Sequence, residues 1–176
     1  MPMRDTKQEI AMVYMRLADS RDPDKITVKD LVTACSISRQ AFYYYFRDIL
    51  EVPEWIIDEH FKEALQDALE AETPMGAVLA FTDIFYKNGR FIRRLENSER
   101  YAFMQKSIVD HATDFLQKLM EDKLPDLPVS TADKKTWVSY HACGLTGYTI
   151  QSLQRGKKEE ETAQTILRLL KSGIPK

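Results

Sequence analysis

Two cysteines in 176 residues are too few for a disulfide framework. Neither Cys35 nor Cys143 has a second Cys or a His at ligand spacing, so a zinc site is not indicated either, and both are read as buried free thiols. Only six glycines are present, most of them where helices should end, which leaves no glycine-rich phosphate loop. His60, His111 and His141 are isolated: there is no second His four residues away, no His-Glu-x-x-His pattern and no Gly-x-Ser-x-Gly elbow. Glu59 beside His60 and Asp110 beside His111 point in different directions on a helix. Neither an enzymatic activity nor a metal or cofactor is therefore expected. No apolar run approaches the roughly 20 residues that span a bilayer, and the opening MPMRDTKQEI lacks the apolar core of a signal peptide. A cytoplasmic protein with no membrane partner is expected. Excess positive charge is also missing. The net charge is −2, and residues 1–50 hold eight Lys or Arg against seven Asp or Glu. Any affinity for nucleic acid must then come from a few placed contacts rather than from a basic field.

What is present is helical periodicity. Apolar residues recur three and four apart nearly everywhere, and strand-like alternation is absent, so the fold class is all-α. A first helix runs from Thr6 to about Ser20 with Ile10, Val13, Tyr14 and Leu17 on one stripe, and RDPDK with Pro23 ends it. Asp48 and Glu51 look like a cap and its partner. Pro53 would clash with a helix already running, so the next helix is placed near Pro53 and carried to about Glu72. Thr73 and Pro74 start another, which Asn88 and Gly89 stop. Phe91 to Glu96 makes a short element. Ser98 opens a long helix closed by Pro125 and Pro128. Ser130 with Asp133 caps a helix to Arg155 and Gly156, and the last runs from Glu159 to Ser172, ending at Gly173.

The densest signal is Ile26 to Phe46, ITVKDLVTACSISRQAFYYYF. Thr27 can cap one helix, with Asp30 as its partner and Ile26 and Leu31 as the hydrophobic staple. Ser38 can cap a second, with Ile37 and Phe42 as the staple, and Ala34, Cys35 and Ser36 must turn the chain between them. Two short helices joined by one tight turn are a helix-turn-helix. The second offers Arg39 and Gln40 in its first turn and then Tyr43, Tyr44 and Tyr45. A donor-rich aromatic surface of this kind suits a major groove. Packed around Ile10, Leu17, Leu31, Phe42 and Phe46, the three elements make a head of about fifty residues, at the lower limit of independent stability.

Thr27-Val28-Lys29-Asp30-Leu31 followed by Ser38-Arg39-Gln40-Ala41-Phe42-Tyr43-Tyr44-Tyr45-Phe46 resembles the DNA-binding domain of the TetR family of transcriptional regulators. Helix number and order extend the similarity loosely over the whole chain. The segment from His141 to Arg155 looks most like the branch that contains regulators of dihydroxyacetone kinase. The resemblance implies a helix-turn-helix domain over residues 1–50 and a helical regulatory and dimerisation domain over residues 51–176. It implies phosphate contacts from Thr27, Lys29, Tyr43 and Arg47, and base-edge or sugar contacts from Arg39, Gln40, Tyr44 and Tyr45, with Ser38 at the head of the same helix. Physical reasoning agrees in part: Arg forks onto guanine and Gln onto adenine, each worth roughly 1–3 kcal/mol of discrimination. Three consecutive tyrosines cannot all share one face, and Tyr43 is the one expected to combine core and contact roles. Two positions depart from the family. Ser36 stands where glycine is usual, in a turn that often needs positive φ. Ile49 stands where a lysine usually touches a phosphate, a contact that Arg47 could replace.

For the C-terminal part the resemblance implies a homodimer in which the last two helices pair with their copies. Ala142, Cys143, Gly144 and Gly147 thin one of these helices so that a neighbour can approach, with Ile166 and Leu170 to complete the contact; packing within the chain is the alternative. Phe81, Phe85, Phe103, Met104, Phe115 and Trp137 read as core by default. A small-molecule effector would need polar groups among them, which gives Tyr86, Met104, His111, Trp137, Tyr140 and His141 as its candidate contacts. The expectation is a ligand-responsive repressor that binds a palindromic double-stranded operator as a homodimer. An activator working with a partner protein stays open. So does a helical interaction protein that has lost DNA binding.

Overall fold

The computed structural model describes residues 6–95, 97–123 and 130–172. Among them are nine α-helices, one 3-10 turn and no strand: α1 (Thr6–Ala18), the turn Pro23–Lys25, α2 (Val28–Ala34), α3 (Arg39–Tyr45), α4 (Glu51–Glu70), α5 (Pro74–Lys87), α6 (Gly89–Leu95), α7 (Tyr101–Lys123), α8 (Thr131–Gln154) and α9 (Glu159–Ser172). The architecture is all-α, as the periodicity requires. Expectations placed on Glu96, Pro125, Pro128 and Gly173 lie outside the described residues. No helix among the described residues is long and apolar enough to cross a membrane.

Most boundaries are set by side chains that accept the orphan amides of a first turn. Thr73 accepts from the Gly76 amide at 3.1 Å, and Ser130 accepts from the Asp133 amide at 3.0 Å. Two helix starts, those of α4 and α7, differ from expectation for definable reasons, and α6 begins at Gly89 rather than at Phe91. α4 begins at Glu51, because Asp48 accepts from the Leu50 and Glu51 amides (2.8 and 3.2 Å) and the Glu51 carboxylate accepts from the Arg47 amide. Pro53 then falls in the first turn, where its missing amide has no intrahelical partner to lose. α7 begins at Tyr101 rather than at Ser98, whose hydroxyl accepts from the Arg100 amide at 3.0 Å and donates to Asp24 Oδ1 at 2.6 Å, 74 residues away. α4 ends at Glu70, just short of its expected limit.

The chain forms two compact units. The first runs up to Asp58 and resumes over Arg90–Gln105; the second comprises Glu59–Gly89 and the residues from Lys106 onward. In the first unit Ile10, Tyr14, Ile26, Leu31, Phe42 and Phe46 are almost wholly buried. Leu17 is only half-buried. Tyr14 meets Phe91 edge-on at 6.3 Å, and Phe46 meets Trp55 at 6.2 Å. The Lys7 ammonium lies over both of the latter rings, 5.3 Å from Phe46 and 5.0 Å from Trp55. In the second unit Phe61, Phe81, Phe85 and Phe115 form one aromatic cluster with centroids 5.4–6.4 Å apart. Polar pairs tie α5 to α9: the Thr82 hydroxyl donates to Glu159 Oε1 at 2.8 Å, and the Tyr86 and Thr162 hydroxyls lie 2.7 Å apart.

Two readings of the core are corrected. Cys35 is buried but Cys143 is exposed, because α8 turns Cys143 to the side opposite its buried stripe of Val138, Ala142, Leu145 and Thr149. Phe103 is exposed as well (44%), one position away from the fully buried Met104.

Candidate nucleic-acid interface

The start of α2 is a complete capping box. Thr27 Oγ1 accepts from the Asp30 amide at 3.3 Å, while Asp30 Oδ2 accepts from the Thr27 amide (2.9 Å) and from its hydroxyl (2.6 Å). The hydroxyl and then the amide of Thr27 hold the Asp30 carboxyl below the usual carboxylate range, and Arg21, 3.2 Å away, adds to this. Both Thr27 donors are therefore committed to Asp30, and the donor presented at this corner is the exposed Lys29 ammonium.

α2 closes with a left-handed residue. Cys35 is the cap and Ser36 follows at φ 54°, with the Ser36 amide on Thr33 O (3.3 Å) and the Ile37 amide on Val32 O (3.0 Å). This is a Schellman closure with serine where glycine is usual. It is the only positive φ at a non-glycine residue among those described, and the strain expected at this turn is present.

Ser38 caps α3 by accepting from the Ala41 amide at 3.0 Å. Successive residues of α3 are 100° apart, so Arg39, Gln40, Tyr43 and Tyr44 share the outward side and Phe42 turns inward. Burial follows this geometry. Phe42 is 0% exposed, against 52% for Tyr43 and 79% for Tyr44, and Arg39 and Gln40 are exposed. Tyr45 falls on the flank, half-buried and edge-on to Tyr44 at 4.9 Å. Tyr45, and not Tyr43 as expected, is thus the one of the three tyrosines turned partly inward. Arg47 extends into solvent with Glu51 beside it at 3.5 Å, which offsets part of its charge.

The candidate effector contacts do not converge on one place. Met104 is fully buried and belongs to the first unit, while the other five belong to the second. There, Tyr86 is bonded to Thr162. The His111 ring lies 5.7 Å from Phe61, with Nδ1 2.8 Å from Ser107 O. Trp137, Tyr140 and His141 do form a group on α8: His141 stacks on Trp137 at 3.9 Å and meets Tyr140 edge-on at 5.1 Å. No three His, Cys, Asp or Glu side chains among the described residues are grouped to hold a metal ion.

Of the candidate dimer contacts, Ala142 and Ile166 face the interior of their own unit, at 0% and 1% exposure. Gly144 and Gly147 face outward, and a Cβ added at either would meet nothing within 4 Å. Leu170 is half-buried. Tyr140, Cys143, Gly144, Gly147, Gln151 and Gln154 form one exposed stripe along α8. Leu169, an apolar position of α9 that is not among the candidate dimer contacts, is 49% exposed.

Comparison with known proteins agrees with the all-α fold. A TetR-type family model described as "Transcriptional regulator C-terminal region" matches residues 72–172. The chain is 25% identical over 175 residues to the HTH-type dhaKLM operon transcriptional activator DhaS of Lactococcus lactis subsp. lactis, covering 96% of this chain and 90% of that protein. Among solved structures, the dihydroxyacetone kinase operon activator DhaS superposes with a TM-score of 0.77 at 24% identity, over 97% of this chain and 96% of the other. A TetR-family transcriptional regulator from Syntrophomonas wolfei superposes with a TM-score of 0.70 at 15% identity, over 96% and 94%.

Proposed function

The chain belongs to the TetR family of transcriptional regulators, and from that premise we propose that it binds a palindromic double-stranded operator as a homodimer, with α3 in the major groove. The observation that carries this reading is the outward side of α3, where Arg39, Gln40, Tyr43 and Tyr44 are all exposed while Phe42 and Phe46 anchor the helix at 0% and 1% exposure. Arg39 and Gln40 read base edges, Tyr44 and the outer edge of Tyr45 reach bases or sugars, and Lys29, Ser38, Tyr43 and Arg47 meet phosphates. Thr27 serves by fixing the start of α2.

The homodimer forms through the exposed stripe of α8, Gly144 and Gly147 above all, together with Leu169 and Leu170 of α9. Two copies of one patch related by a two-fold match a palindromic site. A small-molecule effector binds the second unit, with the Trp137, Tyr140 and His141 group as its candidate contact. It changes the spacing of the two heads by preferring one spacing over the other, acting through α4, whose residues fall in both units. Repression is the first reading of the sign. Activation is the second, favoured by the 25% identity with a protein named as a transcriptional activator.

A fluorescence-anisotropy titration against the DNA flanking the chain's own gene, repeated at several salt concentrations, tests the proposal. Affinity should fall steeply with salt. Binding that neither depends on salt nor weakens in Arg39→Ala and Tyr44→Ala would leave a helical interaction protein as the reading instead.

A further inference from the structure

The turn that delivers the chain into α2 is held by residues from far along the sequence. Asp24 lies in the 3-10 turn Pro23–Lys25, which Asp22 caps by accepting from the Asp24 amide at 3.0 Å. The Asp24 carboxylate accepts from the Ser98 hydroxyl (2.6 Å) and the Glu99 amide (2.7 Å), and Arg100 Nε lies 3.5 Å from it. Arg100 also donates from its two terminal nitrogens to the carbonyls of Pro23 (3.1 Å) and Asp24 (3.4 Å). Three consecutive residues of the elbow between α6 and α7 thus engage both the carboxylate and the carbonyls of one turn. All of these groups belong to the first unit. Burial alone would raise the Asp24 carboxyl, but the hydrogen bonds from Ser98 and Glu99 and the Arg100 charge outweigh it and hold the group below its ordinary range.

Little slack separates this clamp from the start of α2. The Ile26 amide bonds back to Pro23 O at 3.3 Å, Ile26 is 1% exposed, and the next residue is the Thr27 cap. α2 has only seven residues, two of them, Leu31 and Val32, buried, and Lys29 stands in its exposed first turn. We propose that Asp24, held by Ser98, Glu99 and Arg100, is a positioning residue for DNA recognition: it fixes the start of α2 and so places the Lys29 ammonium at the DNA backbone. The inference rests on the DNA-binding reading above.

The test is an anisotropy titration across salt concentrations with the full chain, using wild type, Asp24→Asn, Lys29→Ala and the double variant. Asparagine keeps the shape but loses the charge and turns a donor toward one of the two groups that now donate to it. Asp24→Asn should bind roughly tenfold more weakly, and its slope of log affinity against log salt should be shallower by about one phosphate contact. Adding Lys29→Ala should then cost no more, because the contact is already gone. Unchanged affinity, or losses that add with the slope unchanged, would overturn the proposal, since general destabilisation lowers the active fraction without altering the slope. Should Asp24→Asn fail to fold, Ser98→Ala removes one of the same bonds and is expected to give the same pattern more weakly. Failure of the wild type to bind in a salt-dependent way would instead overturn the DNA-binding reading itself.

Discussion

Replacing Ser36 by glycine is expected to stabilise the protein, and the chain contains its own control. α2 and α8 end in the same closure. At α8 the Gly156 amide bonds to Leu153 O (3.2 Å) and the Lys157 amide to Ser152 O (3.0 Å), with Gly156 at φ 71°. At α2 the equivalent bonds measure 3.3 and 3.0 Å, with Ser36 at φ 54°. The hydrogen bonds are alike and the residues differ by a Cβ and a hydroxyl. A left-handed conformation costs an L-residue about 1–2 kcal/mol, of which the greater freedom of glycine in the unfolded chain takes back about 0.5–1 kcal/mol. The Ser36 side chain is exposed, so little else is lost. The net gain is about 0.5–1 kcal/mol, or a rise of about 1–4 °C in melting temperature for a chain of this size. Melting followed by circular dichroism, with Ser36→Ala as the variant that keeps the Cβ, isolates the effect. Ser36→Ala should melt close to wild type, and Gly156→Ala should lose about 1 kcal/mol. If Ser36→Gly melts no higher than Ser36→Ala, the strain assigned to this turn is not there.

Arg39→Ala should weaken operator binding about 5- to 150-fold by losing a bidentate base contact, and should relax preference at one base position when variant operators are compared. Leucine in place of both Gly144 and Gly147 should convert the protein to monomer at micromolar concentration in sedimentation while leaving its helical content unchanged; a persisting dimer would place the interface elsewhere. His60 is pushed below its ordinary value of 6.5 by burial first and by Lys87, against the opposing pull of Glu63. A lowered histidine adds stability that is present above its unfolded pKa and is lost as pH falls through the folded one. Chemical denaturation should therefore show stability dropping below about pH 6.5, and His60→Gln should flatten that part of the profile. Lys7→Ala removes a cation from above the Trp55 ring and should change Trp55 emission and cost about 0.5–1 kcal/mol.

Local chemistry made much of the fold legible. Thr27, Ser38, Thr73 and Ser130 all cap the helices expected of them, because a short polar side chain followed by a free first turn is a nearest-neighbour signal. The failures came where a distant residue competed. Ser98 has the chemistry of a cap and its hydroxyl does accept from the Arg100 amide, but it also donates to Asp24, 74 residues away, and nothing local announces that bond. Pro53 was weighed by the clash it causes inside a helix, although a first turn tolerates it. On α8, small and aromatic residues alternate around the whole helix. Spacing alone could not say that Ala142 faces in while Cys143, Gly144 and Tyr140 face out. In the head, the alternation of buried Phe42 with exposed Tyr43 and Tyr44 follows from helical geometry once Ser38 is fixed as the cap. The effector contacts have no such rule behind them: aromatic and histidine positions at helical spacing fit a core and a pocket equally well, and only Trp137, Tyr140 and His141 come together.

The discontinuous head bears on how the protein is made. Its first stretch ends at Asp58 and its second, Arg90–Gln105, follows only after Glu59–Gly89, which belongs to the other unit. At a synthesis rate of about 5–20 residues per second, roughly 2–9 s separate the emergence of Asp58 from that of Gln105. During that interval Tyr14 lacks Phe91 and Asp24 lacks Ser98, so α3 has left the ribosome without the partners that complete its unit. Until then the unit is incomplete, and its unfinished apolar surface is open to chaperones. Truncations that stop between these two stretches are expected to accumulate as insoluble protein rather than as small DNA-binding fragments.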